Sequence, residues 1–445
     1  MTGDLAGWVG LLLGMVGTLL LSMRYPHILT VLLVAFGSRA IAALFHYYVA
    51  PLPDGTGDAN AFEAMAYDYL VHGPYRGTSL VPGHETLGAC AYSGLPRSEC
   101  TVWDHYPGPN SDFYPWLMSL VYVVTGRSFL ALQSISVFLG VVAVFLTWRI
   151  GVIIWGSREG RFAAWVVALF PTMILYSVFP LREPFVVFFL LAALFWIARW
   201  VTEGGIRTAF LVFLLLGCGV FFHGSLFVVA LAFFLVIAGR LFGQGATALL
   251  SGRLYLPAIV GLTVVGGVVV FWIISGTYID KVGDFSDLFD LNRWVRYSQQ
   301  KYYADGHTGT AVYPLWTQPQ VVADLLWVVP LKFSYLLFAP FPWDVRALRH
   351  LIGLADGLMY LMLFLICVRF WKPIWQNPQA RAILIVVAPL LVAFGIGTSN
   401  FGTGLRHRAK AFAVLALLAS PWLSRINFRS KSEKNDSTSR SHTQV

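Results

Sequence analysis

Charged residues are scarce in this chain. Asp, Glu, Lys and Arg make up 12% of its 445 residues, about half of the roughly 25% that is usual in soluble domains. Hydrophobic residues make up 57%, and they form repeated apolar runs long enough to cross the roughly 30 Å hydrocarbon core of a bilayer. A large soluble enzyme would need more polar surface than these residues supply. We therefore predict an all-α polytopic membrane protein.

Sequence signatures of common cofactor and metal sites are also missing. The chain contains no P-loop, no GxGxxG segment and no cysteine and histidine set with zinc spacing. Nucleotide-driven pumping and a Rossmann cofactor therefore have no support, and we predict no metal ligand and no certain cofactor. A divalent cation is left as an open alternative.

Positive charge exceeds negative charge, but it is not arranged as a binding stripe. The net charge of +9 is carried between hydrophobic segments and in the C-terminal tail, which is typical of cytoplasmic loops in membrane proteins. We expect membrane lipids as partners and no nucleic acid.

Cysteine is rare as well, with four residues in the chain. Cys218 and Cys367 fall in apolar runs and are predicted to be small core residues. Cys90 and Cys100 share one polar segment, and a disulfide between them is expected if that segment is extracytoplasmic. The N-terminus lacks a basic start, so the first apolar run is expected to remain as a helix.

Eleven apolar segments predict membrane-spanning helices. They cover residues 7–23, 27–49, 129–150, 161–179, 184–201, 207–222, 225–240, 255–275, 350–370, 382–398 and 409–424. Under strict alternation, six basic connections fall on one side, which the positive-inside rule assigns to the cytoplasm. We therefore expect the N-terminus outside and the C-terminus in the cytoplasm.

The remaining organisation is a single transmembrane domain, residues 1–424, with two extracytoplasmic loops and a disordered basic cytoplasmic tail. These loops and the tail are residues 50–128, 276–349 and 425–445. The apolar stretches 113–125 and 321–342 within the loops are short or contain proline. A single additional crossing by either stretch would move the later basic connections to the other side of the membrane. We therefore predict interfacial or re-entrant helices there.

The first loop opens with acidic residues in 51-PLPDGTGDANAFEAMA-66. The spacing of Asp58, Phe62 and Ala66 predicts an amphipathic helix that begins at Asp58. Either Asp54 or Asp58 could simply cap that helix. A partly desolvated carboxylate at a membrane edge would also make a competent general base, so both aspartates are catalytic candidates.

Two further groups are candidates for binding an anionic ligand on the same side. The turn 180-PLREP-184 carries Arg182 and Glu183 between two apolar helices, where a helix-end ion pair is the alternative role. A basic cluster, 406-RHR-408 with Lys410, follows the small-residue segment 399-SNFGTG-404. Arginine forks match phosphate oxygens, and free backbone N–H groups can admit a phosphate closely. The phosphate-binding candidates are Arg182, Glu183, Asn400, Arg406, His407 and Arg408, with His223 as a weaker one.

Three segments occur in an order that resembles the GT-C superfamily of integral membrane glycosyltransferases, especially protein mannosyltransferases and lipid A aminoarabinose transferases. They are the Asp58-Ala-x-x-Phe-Glu loop, 105-HYPGPNSDFYPWLMSLVYVVTGRS-128 and 161-RFAAWVVALFPTMILYSVFPLREP-184. The distal part resembles bacterial members linked to surface polysaccharides. The chain departs from the family in an extra N-terminal helix, in Pro171-Thr172 where many relatives have Pro-Ser, and in two aspartates that are not adjacent.

The resemblance implies a polyprenyl-phosphate-linked sugar as donor, with a glycan, a lipid or a protein as acceptor. It also implies an aspartate base, for which Asp58 is favoured over Asp54. The residues themselves then predict that arginines stabilise the departing phosphate and that the sugar carbon is inverted. The resemblance further implies a bacterial cytoplasmic membrane, with the active site facing the periplasm.

Two other functions fit the same sequence. One is a polymerase for polysaccharide repeat units linked to undecaprenyl diphosphate, which would also use outward-facing arginines. The other is a transporter or flippase for a lipid-linked sugar, which predicts charged residues inside helices near the membrane midplane.

Overall fold

The computed structural model describes residues 2–72, 109–251, 290–306, 311–345 and 348–425, with isolated positions between 252 and 289. In these ranges the regular structure is helical, and the β-pairing is a single antiparallel bridge between Val312 and Asn400. The prediction of an all-α protein is confirmed. The predicted disulfide between Cys90 and Cys100, most of the predicted span 255–275 and the tail from residue 426 lie outside the described residues.

Sixteen helices are formed in the described ranges. They are α1 (Thr2–Arg24), α2 (Leu29–Tyr48), α3 (Asp58–His72), α4 (Pro109–Thr125), α5 (Phe129–Ile154), α6 (Ser157–Leu169), α7 (Pro171–Leu175), α8 (Glu183–Glu203), α9 (Ile206–Val220), α10 (Leu226–Leu250), α11 (Leu291–Gly306), α12 (Leu325–Phe338), α13 (Leu348–Arg369), α14 (Trp371–Gln376), α15 (Pro378–Gly397) and α16 (Phe401–Leu423).

Six of the described helices are long and apolar enough to cross a membrane. They lie in Asp4–Arg24, Pro26–Tyr48, Phe129–Ile154, Glu183–Glu203, Leu226–Leu250 and Pro378–Gly397, and two shorter apolar helices are Phe113–Thr125 and Ile206–Val220. The polytopic character is therefore confirmed, whereas eleven crossings and their orientation stay predictions. Cys218 is exposed on α9 rather than being a core residue.

The segment 161–179 is not the single helix that the sequence predicted. Helix α6 ends at Leu169, and Phe170 takes an extended conformation with φ −68° and ψ 127° before Pro171 begins the short helix α7. Proline lacks a backbone N–H and disfavours helical geometry in the residue before it. The break therefore turns residues 176–182 into a non-helical link that leads to the site.

A buried arginine stabilises this break from α2. The Arg39 side chain, with none of its surface exposed, donates to the carbonyl oxygens of Ala168 (3.0 Å) and Val167 (3.2 Å) and to Ser177 Oγ (2.9 Å). Carbonyl groups at the end of a helix have no partner within the helix, and leaving them unpaired in a buried position is costly. Arg39 thus satisfies the broken end of α6.

Helix α5 lies at the centre of the N-terminal half and packs against α1, α2, α6 and α8. Its contact with α6 is unusually close, because a Cβ on Gly160 would lie 2.7 Å from Val152 N and 2.9 Å from Trp148 O. Small residues allow such backbone approach between membrane helices. Near its other end, α5 contacts the link 176–182, where Gln133 Nε2 donates to the Val178 carbonyl oxygen at 2.9 Å.

We call this end the site end. Helices α3, α8, α10 and α16 begin there, and α2, α9 and α15 finish there. Helix α16 lies along the bundle interior, packed against α6, α12, α13 and α15, and its first turns carry the basic cluster. The grouping of the acidic loop, the 180–184 turn and the basic cluster at one end agrees with the predicted topology.

Candidate functional site

A cavity of about 250 Å³ opens at the site end, between residues from α3, α8, α10, α11, α15 and α16. Six of the residues that the sequence predicted line it. They are Asp58, Arg182, Glu183, His223, Arg406 and His407. The cavity therefore joins carboxylates, fixed cations and imidazoles that are far apart in the sequence.

An ion pair between Asp58 and Arg406 joins the two main candidates. Arg406 Nη1 donates to Asp58 Oδ2 at 2.6 Å, and the two side chains are 21% and 57% exposed. Helix α3 begins at Asp58, as predicted, where a carboxylate also interacts favourably with the helix dipole. Burial lowers the pKa of Arg406, but the carboxylates of Glu183 and Asp58 raise it more, so its pKa lies above the usual value. Arg406 is thus a permanent cation at the cavity wall.

Helix α3 is fixed in place by a clamp from the last turn of α4 and the residues that follow it. Arg127 binds Glu63 through two hydrogen bonds of 2.8 Å each, and the Tyr122 hydroxyl donates to Glu63 Oε1 at 2.9 Å. Paired Arg–carboxylate bonds are directional as well as strong. The clamp fixes the helix whose first residue is Asp58.

Asp54 lies in a tight turn beside this cavity rather than in its lining. Its backbone is left-handed, with φ 61°, which aspartate tolerates better than most residues. Gly55 is required next to it, because a Cβ there would lie 2.4 Å from the His46 ring and 2.7 Å from Phe179. Asp54 Oδ2 accepts a hydrogen bond of 2.8 Å from the Tyr176 hydroxyl.

A second, smaller cavity of about 20 Å³ connects Tyr176 to the charged cluster, since Glu183, Arg406 and Lys410 also line it. Asp58 therefore contacts Arg406 directly, and Asp54 is connected, through Tyr176, to the smaller cavity that Arg406 also lines. The structure does not single out one of them as the base.

The turn before α8 separates its two charged residues in space. Glu183 is the first residue of α8, followed by Pro184, where a missing N–H is harmless. The buried Glu183 carboxylate lies 3.6 Å from Lys410 Nζ of α16, and the guanidinium of Arg182 lies over the Phe62 ring at 5.7 Å. Lys410 thus contacts Glu183 from outside the larger cavity, whereas Arg182 is one of the residues that line that cavity.

Two histidines face the same cavity, His407 from α16 and His223 from the turn between α9 and α10. The rings of His223 and His407 are 5.8 Å apart at near right angles, and His407 stacks on Phe394 at 4.4 Å. The Nδ1 atom of each ring contacts a hydroxyl group of its own. The partner of His223 is Ser225 Oγ at 2.6 Å, and the partner of His407 is Thr398 Oγ1 at 2.9 Å. These contacts fix the orientation of both imidazoles.

Arg408 and Asn400, which were also predicted to bind phosphate, are not among the residues that line this cavity. The fully buried Arg408 donates to the carbonyl oxygens of Leu337 (3.0 Å) and Ala339 (2.7 Å) and pairs with Asp356. Its guanidinium therefore binds the protein interior and is not available to a phosphate.

Asn400 is the N-cap of α16, with its side-chain oxygen accepting from Thr403 N at 2.7 Å. This bond satisfies one of the free donors of the first turn. The residue positions the helix that carries Arg406.

Three cavity residues of α11 were not predicted from the sequence. They are Trp294, Tyr297 and Lys301. Their spacing of three and four residues places them on one face of the helix, and this is the signal that could have found them. The segment lies inside the predicted loop 276–349, in which the sequence predicted no helix at these residues.

The described residues include no group of three or more His, Cys, Asp or Glu side chains that could hold a metal ion. A divalent cation therefore stays an untested alternative. The chemistry that the described cavity offers is anion binding by fixed cations beside a carboxylate.

Comparisons with known proteins give one solved structure. No family model and no curated protein matches the chain. Its fold is similar to that of the archaeal oligosaccharyltransferase AglB from Archaeoglobus fulgidus in complex with an inhibitory peptide and a dolichol-phosphate, with a TM-score of 0.48 and 15% identity. The match covers 95% of this chain and 53% of that chain, so this chain spans about half the length of that protein.

Proposed function

We propose that this protein is a membrane glycosyltransferase that moves a sugar from a polyprenyl-phosphate donor to an acceptor. The observation that carries the proposal is the pairing of Asp58 with Arg406 in a cavity that Arg182 also lines. A proton acceptor and phosphate-binding cations then lie within one ligand's reach. The sequence resemblance to GT-C glycosyltransferases supports the same function.

The donor's phosphate binds at Arg406 and Arg182, where it competes with Asp58 for the guanidinium of Arg406. This exchange has a useful consequence, because the carboxylate is released from its ion pair when the donor binds. A carboxylate without its cation is a stronger hydrogen-bond acceptor and a better base. Donor binding thus prepares Asp58 for proton transfer.

The reaction is a single displacement. The carboxylate of Asp58, or of Asp54, takes the proton from an acceptor hydroxyl as that oxygen bonds to the anomeric carbon. The bond from this carbon to the phosphate oxygen breaks, and polyprenyl phosphate leaves with the electron pair. Attack from the opposite side inverts the sugar carbon, and the arginines stabilise the charge that grows on the phosphate.

The lipid tail leaves the cavity along its apolar side, formed by Val228 of α10 with Ala393 and Phe394 of α15. The acceptor is a glycan, a lipid or a protein. In this proposal the protein lies in the bacterial cytoplasmic membrane with the site end facing the periplasm, and the transferred unit is a hexose or pentose.

A repeat-unit polymerase is the second candidate. The basic character of the cavity favours it, because three of the lining residues are fixed cations, Arg182, Lys301 and Arg406. Such an enzyme would use a donor linked through diphosphate. Transport is less well supported, since the mid-helix charge of Arg39 is bonded to protein carbonyl groups rather than placed in a pathway.

The deciding experiment measures sugar transfer from a synthetic polyprenyl-phospho-sugar by purified Asp58→Asn and Asp54→Asn proteins. The variant that removes the base is expected to lose about 10²- to 10⁴-fold in rate. Asp58→Asn should bind the donor at least as tightly as the wild type, because the phosphate no longer competes with a carboxylate for Arg406. Glu203→Gln is a matched control, because Glu203 pairs with Arg199 at the opposite end of α8. Normal turnover in both aspartate variants would overturn the base assignment.

A further inference from the structure

The wall that α11 adds to the cavity has a cation with no carboxylate partner. The two carboxylates in the lining each face a cation of α16, since Asp58 pairs with Arg406 and Glu183 with Lys410. Within the described part of the chain, Lys301 forms no ion pair. Its Nζ atom lies 6.0 Å from the centroid of the Tyr297 ring. An anionic ligand would compensate this charge.

The same face of α11 also carries two aromatic side chains. Trp294 and Tyr297 line the cavity beside Lys301 and are half-buried. Aromatic rings offer flat apolar surface with little loss of conformational entropy on binding, which suits the C–H face of a sugar ring. The face therefore combines a surface for a ring with a positive charge one helical turn away.

Helix α11 is held against the bundle, so this face has a fixed position. Lys332 of α12, which is completely buried, donates from Nζ to Ser298 Oγ at 2.6 Å. The next residue, Gln299, donates from Nε2 to the Pro319 carbonyl oxygen at 2.9 Å. Lys332 Nζ also donates to the Ile396 carbonyl oxygen at 3.3 Å, and a buried cation is costly to leave without such partners. The helix is thus a built wall rather than a loosely attached surface element.

We propose that α11 recognises a second anionic group next to the sugar ring of the ligand, with Lys301 binding the anion and Trp294 and Tyr297 contacting the ring. This inference rests on the proposed function and specifies its substrate class. A sugar phosphodiester has one negative charge, which Arg406 and Arg182 bind at the other wall. The second negative charge has two chemical sources, the second phosphate of a diphosphate-linked donor or the carboxylate of an acidic sugar.

Direct binding to the full-length protein in nanodiscs tests the proposal without requiring turnover. Three synthetic ligands share one short prenyl chain: prenyl phosphoglucose, prenyl diphosphoglucose and prenyl phosphoglucuronate. We expect the wild type to bind one of the two doubly charged ligands about tenfold more tightly than phosphoglucose. Preference for the diphosphate identifies the second phosphate as the source, and preference for the glucuronate identifies an acidic sugar.

Lys301→Gln is expected to abolish that preference and to leave the affinity for phosphoglucose within twofold of the wild type. Arg296→Gln is the matched control, because Arg296 lies on the same helix with a 60% exposed side chain paired to Asp290. That variant should keep the preference. Trp294→Ala should weaken all three sugar ligands but not prenyl phosphate, which lacks the ring.

Equal wild-type affinity for all three ligands overturns the inference and leaves the proposed function standing. Lys301→Gln weakening all three alike also overturns it. Absence of binding by every lipid-linked sugar overturns both the inference and the proposed function.

Discussion

Arg406 and Arg408 are two residues apart on α16, yet they meet opposite surroundings. Arg406 lines the cavity and pairs with the largely exposed Asp58. Arg408 is entirely enclosed and pairs with Asp356 through Nη2, while its Nη1 donates to the carbonyl oxygens of Leu337 and Ala339. Residues two apart on an α-helix point about 200° away from each other. One short basic motif thus serves a ligand site on one side and the scaffold on the other.

The difference lies in what would be left behind if each arginine were removed. Loss of Arg406 leaves Asp58 in contact with water, where a lone carboxylate is tolerated. Loss of Arg408 leaves the buried Asp356 without its counter-charge. The Thr172 hydroxyl, which donates to Asp356 at 2.9 Å, would still bind it but carries no charge. A buried charge without a counter-charge is strongly destabilising.

The largest expected effect is therefore on stability, at Arg408. Arg408→Met should lower the stability of the fold by about 3–5 kcal/mol, seen as a large drop in thermal unfolding temperature in detergent. The double variant Arg408→Met, Asp356→Leu should recover most of that loss, because both charges are then gone. A double variant as unstable as the single one would contradict the pairing.

The next effect is on function, at Arg406. Arg406→Gln should reduce sugar transfer by about 10²- to 10³-fold, the usual result of removing one group that stabilises transition-state charge. Its unfolding temperature should stay within a few degrees of the wild type. If Arg406→Gln unfolds as readily as Arg408→Met, the contrast between the two arginines fails.

The smallest effect is expected at Asn400, which caps α16 just before both arginines. Asn400→Ala should cost about 1 kcal/mol of stability, and Asn400→Asp should restore it because an aspartate also accepts from the Thr403 N–H. Affinity for prenyl phosphate should change less than twofold in either variant. A tenfold loss of affinity at unchanged unfolding temperature would return Asn400 to the ligand site.

Local patterns in the sequence predicted the helical membrane character and the start of α3 at Asp58. The basic-loop rule also placed Asp58 and Arg406 on the same side, although they are 348 residues apart. Local patterns could not separate Arg406 from Arg408, because the separation depends on Asp356, 52 residues away from Arg408. Nothing near Asp356 in the sequence marks it as the partner.

Two other misses have local causes. The segment 161–179 is apolar throughout, which predicts one span, but Pro171 ends the first helix at Leu169 because proline disfavours helical geometry in the residue before it. The face of α11 was missed because Trp294, Tyr297 and Lys301 resemble any amphipathic helix until the opposite wall is known. Its ligand role depends on α16, which comes about a hundred residues later in the chain.

Arg39 has a consequence for how the protein is made. Its acceptors Val167, Ala168 and Ser177 lie 128 to 138 residues later in the chain, so α2 leaves the ribosome well before they exist. An arginine in the middle of an inserting helix costs about 2.5–3.5 kcal/mol on biological insertion scales. When α2 inserts, Arg39 therefore lacks the partners that it has in the folded protein. The cost of its charge is offset only after the end of α6 packs beside α2.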